Sequence, residues 1–132
     1  MINAALSTSL SGMMAAGNRL DTSANNVANL SSTRSLVDGQ STGEAYQAQR
    51  VNQTSVAPAG VQSSTVPKDP ATFGRFDPAN SAADENGITQ YPNVDLNEEV
   101  VEQQIATYDF KANLKALKTA DEMMENLLDI TA

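Results

Sequence analysis

Glycine and proline, the residues that most reliably interrupt regular structure, are concentrated in the middle of this chain. All five prolines (Pro58, Pro67, Pro70, Pro78 and Pro92) and five of the seven glycines fall within residues 34–93. Residues 94–132 contain neither, and residues 1–33 contain only Gly12 and Gly17. Two uninterrupted ends around a punctuated centre predict helix, then an irregular or β middle, then helix.

The first segment is electrically neutral, with one base, Arg19, and one acid, Asp21. Leu6, Leu10, Met13, Gly17, Leu20, Ala24 and Val27 follow one another at alternating spacings of four and three. That spacing lines them along one narrow seam of a helix. Ser, Thr, Asn and Gly dominate the remaining surface, and these are mediocre helix formers because their side chains compete for backbone hydrogen bonds. The segment is therefore expected to be firmly helical only where a partner covers the seam.

The last segment carries nine acids and three lysines. Asp95 ahead of Leu96, Asn97 and Glu98 has the form of a capping box, and Glu98, Glu99 and Glu102 sit where a helix dipole favours anions. About 36 helical residues would reach roughly 54 Å. On a helical wheel, Phe110, Leu114, Leu117, Met124 and Leu128 form one apolar stripe. Val101, Ile105, Tyr108, Ala112, Ala116, Met123, Leu127 and Ile130 form another on roughly the opposite side, and Lys111, Lys115, Lys118, Glu122, Glu125 and Asp129 fill a charged strip between them. One partner helix needs one stripe. The surplus stripe predicts contacts with other subunits.

In the middle, Tyr46–Val51 and Gly60–Val66 alternate partially and are rich in strand formers, so they predict a hairpin or two. Turns are expected at Asp38-Gly39, at Pro58-Ala-Gly60 and at Asp84-Glu-Asn-Gly87, the last leading into an extended Ile88-Thr-Gln-Tyr91.

Composition excludes much chemistry. The 132 residues include no Cys and no His, which removes thiolate metal sites, imidazole catalysis and a hydrolase triad. A net charge of −8 repels phosphate backbones, so nucleic acid is not an expected partner. No apolar run approaches the roughly 18 residues of a membrane span, and the N-terminus lacks the basic start of a secretory signal. No direct membrane insertion is expected. The carboxylate pairs Asp84-Glu85 and Glu98-Glu99 are read as solvated or capping groups. Asp84-Glu-Asn-Gly87 lacks the ligand spacing of a calcium loop. Met13-Met14 and Met123-Met124 are read as packing residues. No catalytic residue, cofactor or metal is expected.

Ser11-Gly-Met-Met-Ala-Ala-Gly-Asn-Arg-Leu20 with Ala24-Asn-Asn-Val-Ala-Asn29 resembles the N-terminal signature of bacterial flagellar rod and hook proteins. Val94-Asp-Leu-Asn-Glu-Glu-Val-Val101, Lys111-Ala-Asn113 and Lys118-Thr-Ala-Asp-Glu-Met-Met124 resemble their C-terminal signature. Ala45–Val51, Asp77-Pro-Ala-Asn80, Asp84–Gly87 and Tyr91–Asp95 narrow the likeness to the proximal rod proteins of the basal body. Two departures are visible. Asn29 and Thr33 are separated by three residues where the family usually has Asn-x-x-Thr, and Tyr108 and Phe110 stand where Arg and Tyr are frequent.

The resemblance implies a mainly α fold, an antiparallel, coiled-coil-like pair of long terminal helices (1–33 and 94–132) around a small irregular or β middle (34–93). It implies a structural subunit that polymerises through its terminal helices into a hollow, torque-transmitting shaft with an export channel. Partners would be copies of itself, other rod subunits, basal-body ring and rod-adaptor proteins, and the flagellar type III export apparatus. The location would be the periplasmic rod, reached without a cleavable signal; the absence of Cys suits that compartment. The expected assembly interface comprises Leu6, Leu10, Met13, Leu20, Val27, Val101, Ile105, Tyr108, Phe110, Leu114, Leu117, Met124, Leu127 and Leu128. The alternatives are another axial rod protein or a small type III secreted binding module. The module would need a discrete exposed site in residues 34–93, and none is evident in the sequence.

Overall fold

The computed structural model describes residues 2–33, 36–37, 40–41 and 44–131. Two helices, α1 (Ile2–Ala28) and α2 (Leu96–Thr131), make up about half of the chain. Between them, among the described residues, lie three separate two-stranded antiparallel sheets.

The helix ends follow local chemistry. At the start of α2, Asp95 Oδ1 accepts hydrogen bonds from the backbone N–H groups of Asn97 (2.8 Å) and Glu98 (3.4 Å), and Asp95 O accepts one from Glu99 N at 3.0 Å. This satisfies N–H groups that have no intrahelical partner. The Glu98 carboxylate is paired with Lys68 Nζ at 2.8 Å. At the end of α1 the chain turns on Asn29. Its carbonyl accepts from Ser32 N at 2.9 Å, and its Oδ1 accepts from Ser32 Oγ at 3.1 Å. The hydroxyl three residues after Asn29 is therefore that of Ser32, which takes the place expected of a threonine.

The first sheet pairs β1 (Leu36–Val37) with β2 (Gln40–Ser41); the expected Asp38-Gly39 turn lies outside the described residues. The second pairs β3 (Gln49–Ser55) with β4 (Val61–Pro67), from Gln49 opposite Pro67 to Ser55 opposite Val61. The expected second strand is found, but the first starts at Gln49 rather than Tyr46. Tyr46, Gln47 and Ala48 are drawn out of the hairpin by other partners: Tyr46 N bonds Ser32 O at 3.0 Å, and Ala48 N bonds Ala71 O at 3.1 Å. The hairpin turns where Val56 N meets Gly60 O at 3.0 Å, and Gly60 has φ +130°, which a side chain would resist. The third sheet pairs β5 (Thr72–Phe76) with β6 (Ile88–Pro92). β6 matches the expected extended stretch; its partner β5 was not anticipated.

The buried apolar side chains of the described residues are small. Ala15, Ala16, Ala45, Ala48, Ala82, Ala106 and Ala120 supply them, together with Pro92. The largest fully buried side chains are Asn26, Thr89, Pro92 and Ser23. No described helix is long and apolar enough to cross a membrane.

Candidate assembly interface

α1 and α2 run antiparallel against each other. Asn26 near the end of α1 meets Glu99 near the start of α2, while Gly12 faces Asn113. The seam between them holds Gly12, Ala16, Ser23 and Asn26 on α1. On α2 the seam positions Glu99, Ala106, Asn113 and Ala120 recur every seven residues. These side chains bury little apolar area, and the hydrophobic gain scales with that area. Their small size instead lets the backbones approach. A Cβ built on Gly12 would lie 2.7 Å from Asn113 Oδ1.

Polar bonds hold this seam. Arg19 Nε reaches Glu102 Oε1 at 2.5 Å and Arg19 Nη1 reaches Asp109 Oδ2 at 2.6 Å. The Glu102 bond, then the charges of both acids, raise the Arg19 pKa above its ordinary value against the opposing effect of burial. Ser23 Oγ donates to Glu99 O at 3.0 Å. The Asn26 amide is fully engaged. Its Nδ2 donates to Gln49 O (2.7 Å) and to Glu99 Oε1 (2.8 Å), and its Oδ1 accepts from Tyr46 Oη (3.0 Å) and Gln49 N (3.0 Å). One buried side chain thereby joins α1, α2, β3 and the strand approach. Burial, and then the nearby Glu99 carboxylate, raise the Tyr46 pKa above that of an ordinary tyrosine.

The β3–β4 hairpin packs on α1 and not, among the described residues, on α2. Val61 N donates to Ser11 Oγ at 3.1 Å, Asn18 Nδ2 donates to Ser63 Oγ at 2.5 Å, and the Thr22 and Thr65 hydroxyls lie 3.4 Å apart. A polar cleft bordered by Arg19, Arg50, Lys68, Glu98 and Glu102 separates the hairpin from α2.

A second cluster sits on β5–β6. Tyr91 Oη donates to Asp77 Oδ2 at 2.7 Å and accepts from Arg75 Nη2 at 3.0 Å, whose guanidinium carbon lies 4.1 Å from the ring centroid. The Tyr91 bond, then the Arg75 cation, lower the Asp77 pKa. Phe73 stacks on the same ring at 6.2 Å. The Asp84 carboxylate closes the following turn by accepting from Asn86 N (2.9 Å) and Ile88 N (2.8 Å). Among the described residues no three acids group as metal ligands.

The expected interface residues occupy the flanks of the seam. Leu10 (53% exposed), Leu20, Val101, Ile105 (43%), Tyr108 (70%), Phe110, Leu114 (47%), Leu127 and Leu128 face outward. Leu6, Met13, Val27, Leu117 and Met124 are partly covered. The Leu6–Val27 heptad is not the face that α1 turns to α2, and α1 covers neither apolar stripe of α2 completely. The physical reason is that close backbone approach favours the small-residue face. Glu99, read as a solvated first-turn acid, is 4% exposed and bound to Asn26. Asn26, Tyr46 and Gln49 lie in the family-like stretches Ala24–Asn29 and Ala45–Val51 but outside the expected interface set. The seven-residue recurrence of Ser9, Ala16 and Ser23, and of Glu99, Ala106, Asn113 and Ala120, was the signal that could have located the seam.

Comparison with known proteins fits this arrangement of terminal helices. Residues 6–34 match the family model described as flagella basal body rod protein, and residues 85–130 match the flagellar basal body rod FlgEFG protein C-terminal model. The chain belongs to the flagellar basal-body rod protein family, a family of structural proteins of the bacterial motility apparatus. Within it, the chain is similar to flagellar basal-body rod protein FlgC of several bacteria. It is 33% identical to that of Salmonella typhimurium, covering 91% of this chain and 90% of the relative. It is 31% identical to that of Aquifex aeolicus (95% and 93%) and 28% identical to that of Bacillus subtilis (95% of each).

Proposed function

We propose that this chain is a subunit of the proximal part of the flagellar rod, and that it polymerises through the outward faces of its paired terminal helices. The observation that carries this reading is the placement of the large apolar side chains. The α1–α2 seam uses alanine, serine, glycine and asparagine, while Leu10, Ile105, Tyr108 and Leu114 stand at least two-fifths exposed. A chain folding for itself alone would turn such residues inward, because each buried Leu or Ile contributes about 1.5–3 kcal/mol. Outward stripes on both flanks of one seam suit a subunit with neighbours on two sides. Such contacts are heterologous and propagate into a helical array.

In this reading residues 1–33 and 94–132 form one coiled-coil-like terminal-helix domain, and residues 34–93 form a smaller body carried on its side. The assembled domains would make a hollow shaft that transmits torque and leaves a channel for exported subunits. Its neighbours would be copies of the chain, other rod subunits, and ring and adaptor proteins of the basal body. The route to the periplasm would be the flagellar type III export apparatus. This reading gives the chain no catalytic role and no cofactor.

The test is genetic. Cells whose only copy carries Leu117→Asp should make the protein yet build no rod, hook or filament, as seen by basal-body microscopy and a swimming assay. Intact basal bodies and normal swimming in such cells would overturn the proposal.

A further inference from the structure

The small side chains of the α1–α2 seam are compatible with more than one register. The α2 positions that face α1 recur every seven residues, and Ala106 and Ala120 are both smaller than the intervening Asn113. Sliding α2 by seven residues, roughly 10 Å, would set Gly12 level with Ala106 or with Ala120. Both offer more room than Asn113, whose Oδ1 would lie 2.7 Å from a Cβ placed on residue 12. Arg19 also discriminates weakly. Its two acceptors, Glu102 and Asp109, are themselves seven residues apart, so either slide leaves one of them level with the guanidinium.

Asn26 cannot be satisfied in either slipped register. One slide would replace Glu99 by Ala106, and the other would replace it by Pro92, which lies ahead of the start of α2 at Leu96. Glu99 is nearly enclosed, and its Oε1 accepts from Asn26 Nδ2 at 2.8 Å. A slide therefore separates a buried donor from a buried acceptor, and such orphaned groups are costly. Tyr46 and Gln49 occupy the other side of the Asn26 amide, so it cannot rotate to a new partner without losing them.

We propose that Asn26, acting through Glu99, is the positioning residue that selects one register of the terminal helix pair from its heptad-related alternatives. A lone buried polar residue can specify register in this way at some cost in stability. The register decides which outward apolar residues of α1 and α2 stand level with each other. That consequence rests on the assembly reading above; the selection itself does not.

The chain has no cysteine, so engineered pairs report register without interference. Three variants of the full chain each carry Gly12→Cys, joined with Asn113→Cys, with Ala106→Cys and Asn113→Ala, or with Ala120→Cys and Asn113→Ala, so that the side chain at 12 never meets the Asn113 amide. On oxidation of the purified protein, only the 12–113 pair should cross-link. Adding Asn26→Leu with Glu99→Met removes the polar pair without leaving a buried charge unpartnered. In that background the 12–106 or 12–120 pair should cross-link in yield comparable to 12–113, with helical circular dichroism retained. Asn26→Ala gives the same reading if the double replacement does not fold. Arg19→Leu should leave cross-linking confined to 12–113. Cross-linking that stays confined to 12–113 once the Asn26 amide is removed would overturn the proposal, as would a spread caused by Arg19→Leu alone. No flagellum takes part in this measurement, so its failure is distinct from failure of the assembly reading.

Discussion

Gly12 and Asn113 approach so closely that a single methyl group on residue 12 would meet the Asn113 amide, with its Oδ1 at 2.7 Å and its Cγ at 2.8 Å. Glycine in mid-helix costs about 1 kcal/mol relative to alanine, so its presence in α1 reflects this contact. Gly12→Ala would gain that propensity and incur overpacking, which costs about 1–3 kcal/mol in a fitted site. We expect Gly12→Ala to lower stability or leave it level. The double variant Gly12→Ala/Asn113→Ala should be more stable than Gly12→Ala by about 1 kcal/mol, because neighbouring changes couple. Denaturant unfolding of the four proteins in the cycle checks this.

Leu114→Asp and Ile105→Asp lie on opposite stripes of α2, and both residues are exposed in the single chain. Exposed substitutions usually change stability by less than about 0.5 kcal/mol. Each variant should therefore keep the helical content of the free subunit and yet block assembly. Lys118→Ser, which removes only an exposed 3.9 Å ion pair with Glu122, should assemble. Normal assembly of Ile105→Asp alongside failure of Leu114→Asp would show that only one stripe is covered.

The free monomer should exchange its amide hydrogens readily over residues 2–30. The small side chains of the α1 seam bury little apolar surface, and helices without such packing are marginal. Hydrogen–deuterium exchange on a verified monomer should find weak protection there, rising on assembly. Strong, uniform protection in the monomer would contradict this.

Tyr46 links folding to alkaline pH. Burial and the Glu99 carboxylate both oppose its ionisation, so its folded-state pKa is raised. The stability this contributes is fully present below the ordinary tyrosine value, near 10. It is lost as pH rises from there through the raised folded value. Unfolding followed across that window should show a decline that Tyr46→Phe reduces. An identical decline in both proteins would remove Tyr46 as the cause.

The two helices were legible because Gly and Pro are absent from α2 and rare in α1, and because Asp95 marks a start that its own carboxylate caps. β4 was legible from Val61 and Val66 at its ends. β5 was not, since Phe73, Gly74, Arg75 and Phe76 show no alternation; its order comes from Tyr91, which stacks on Phe73 and lies under Arg75 from the neighbouring strand. The helix seam was hidden for a related reason. Periodicity draws attention to large apolar residues, whereas this contact selects small ones. Glu99 fits its local role as a first-turn acid. The recurrence of Ala106, Asn113 and Ala120 places it on the seam, but its partner Asn26 is 73 residues away.

The hairpin, which among the described residues rests on α1 and not on α2, gives the chain an order in time. Its hydrogen bonds to α1 close loops of 23 to 50 residues, whereas those between α1 and α2 close loops of 73 to 90. Shorter closures cost slightly less entropy and generally form sooner. In a chain that emerges N-terminus first, everything needed to seat β4 on Ser11, Asn18 and Thr22 and β3 on Asn26 is present before the first residue of α2. The strands can therefore dock early and act as a template, leaving one face of α1 presented for the last helix to arrive.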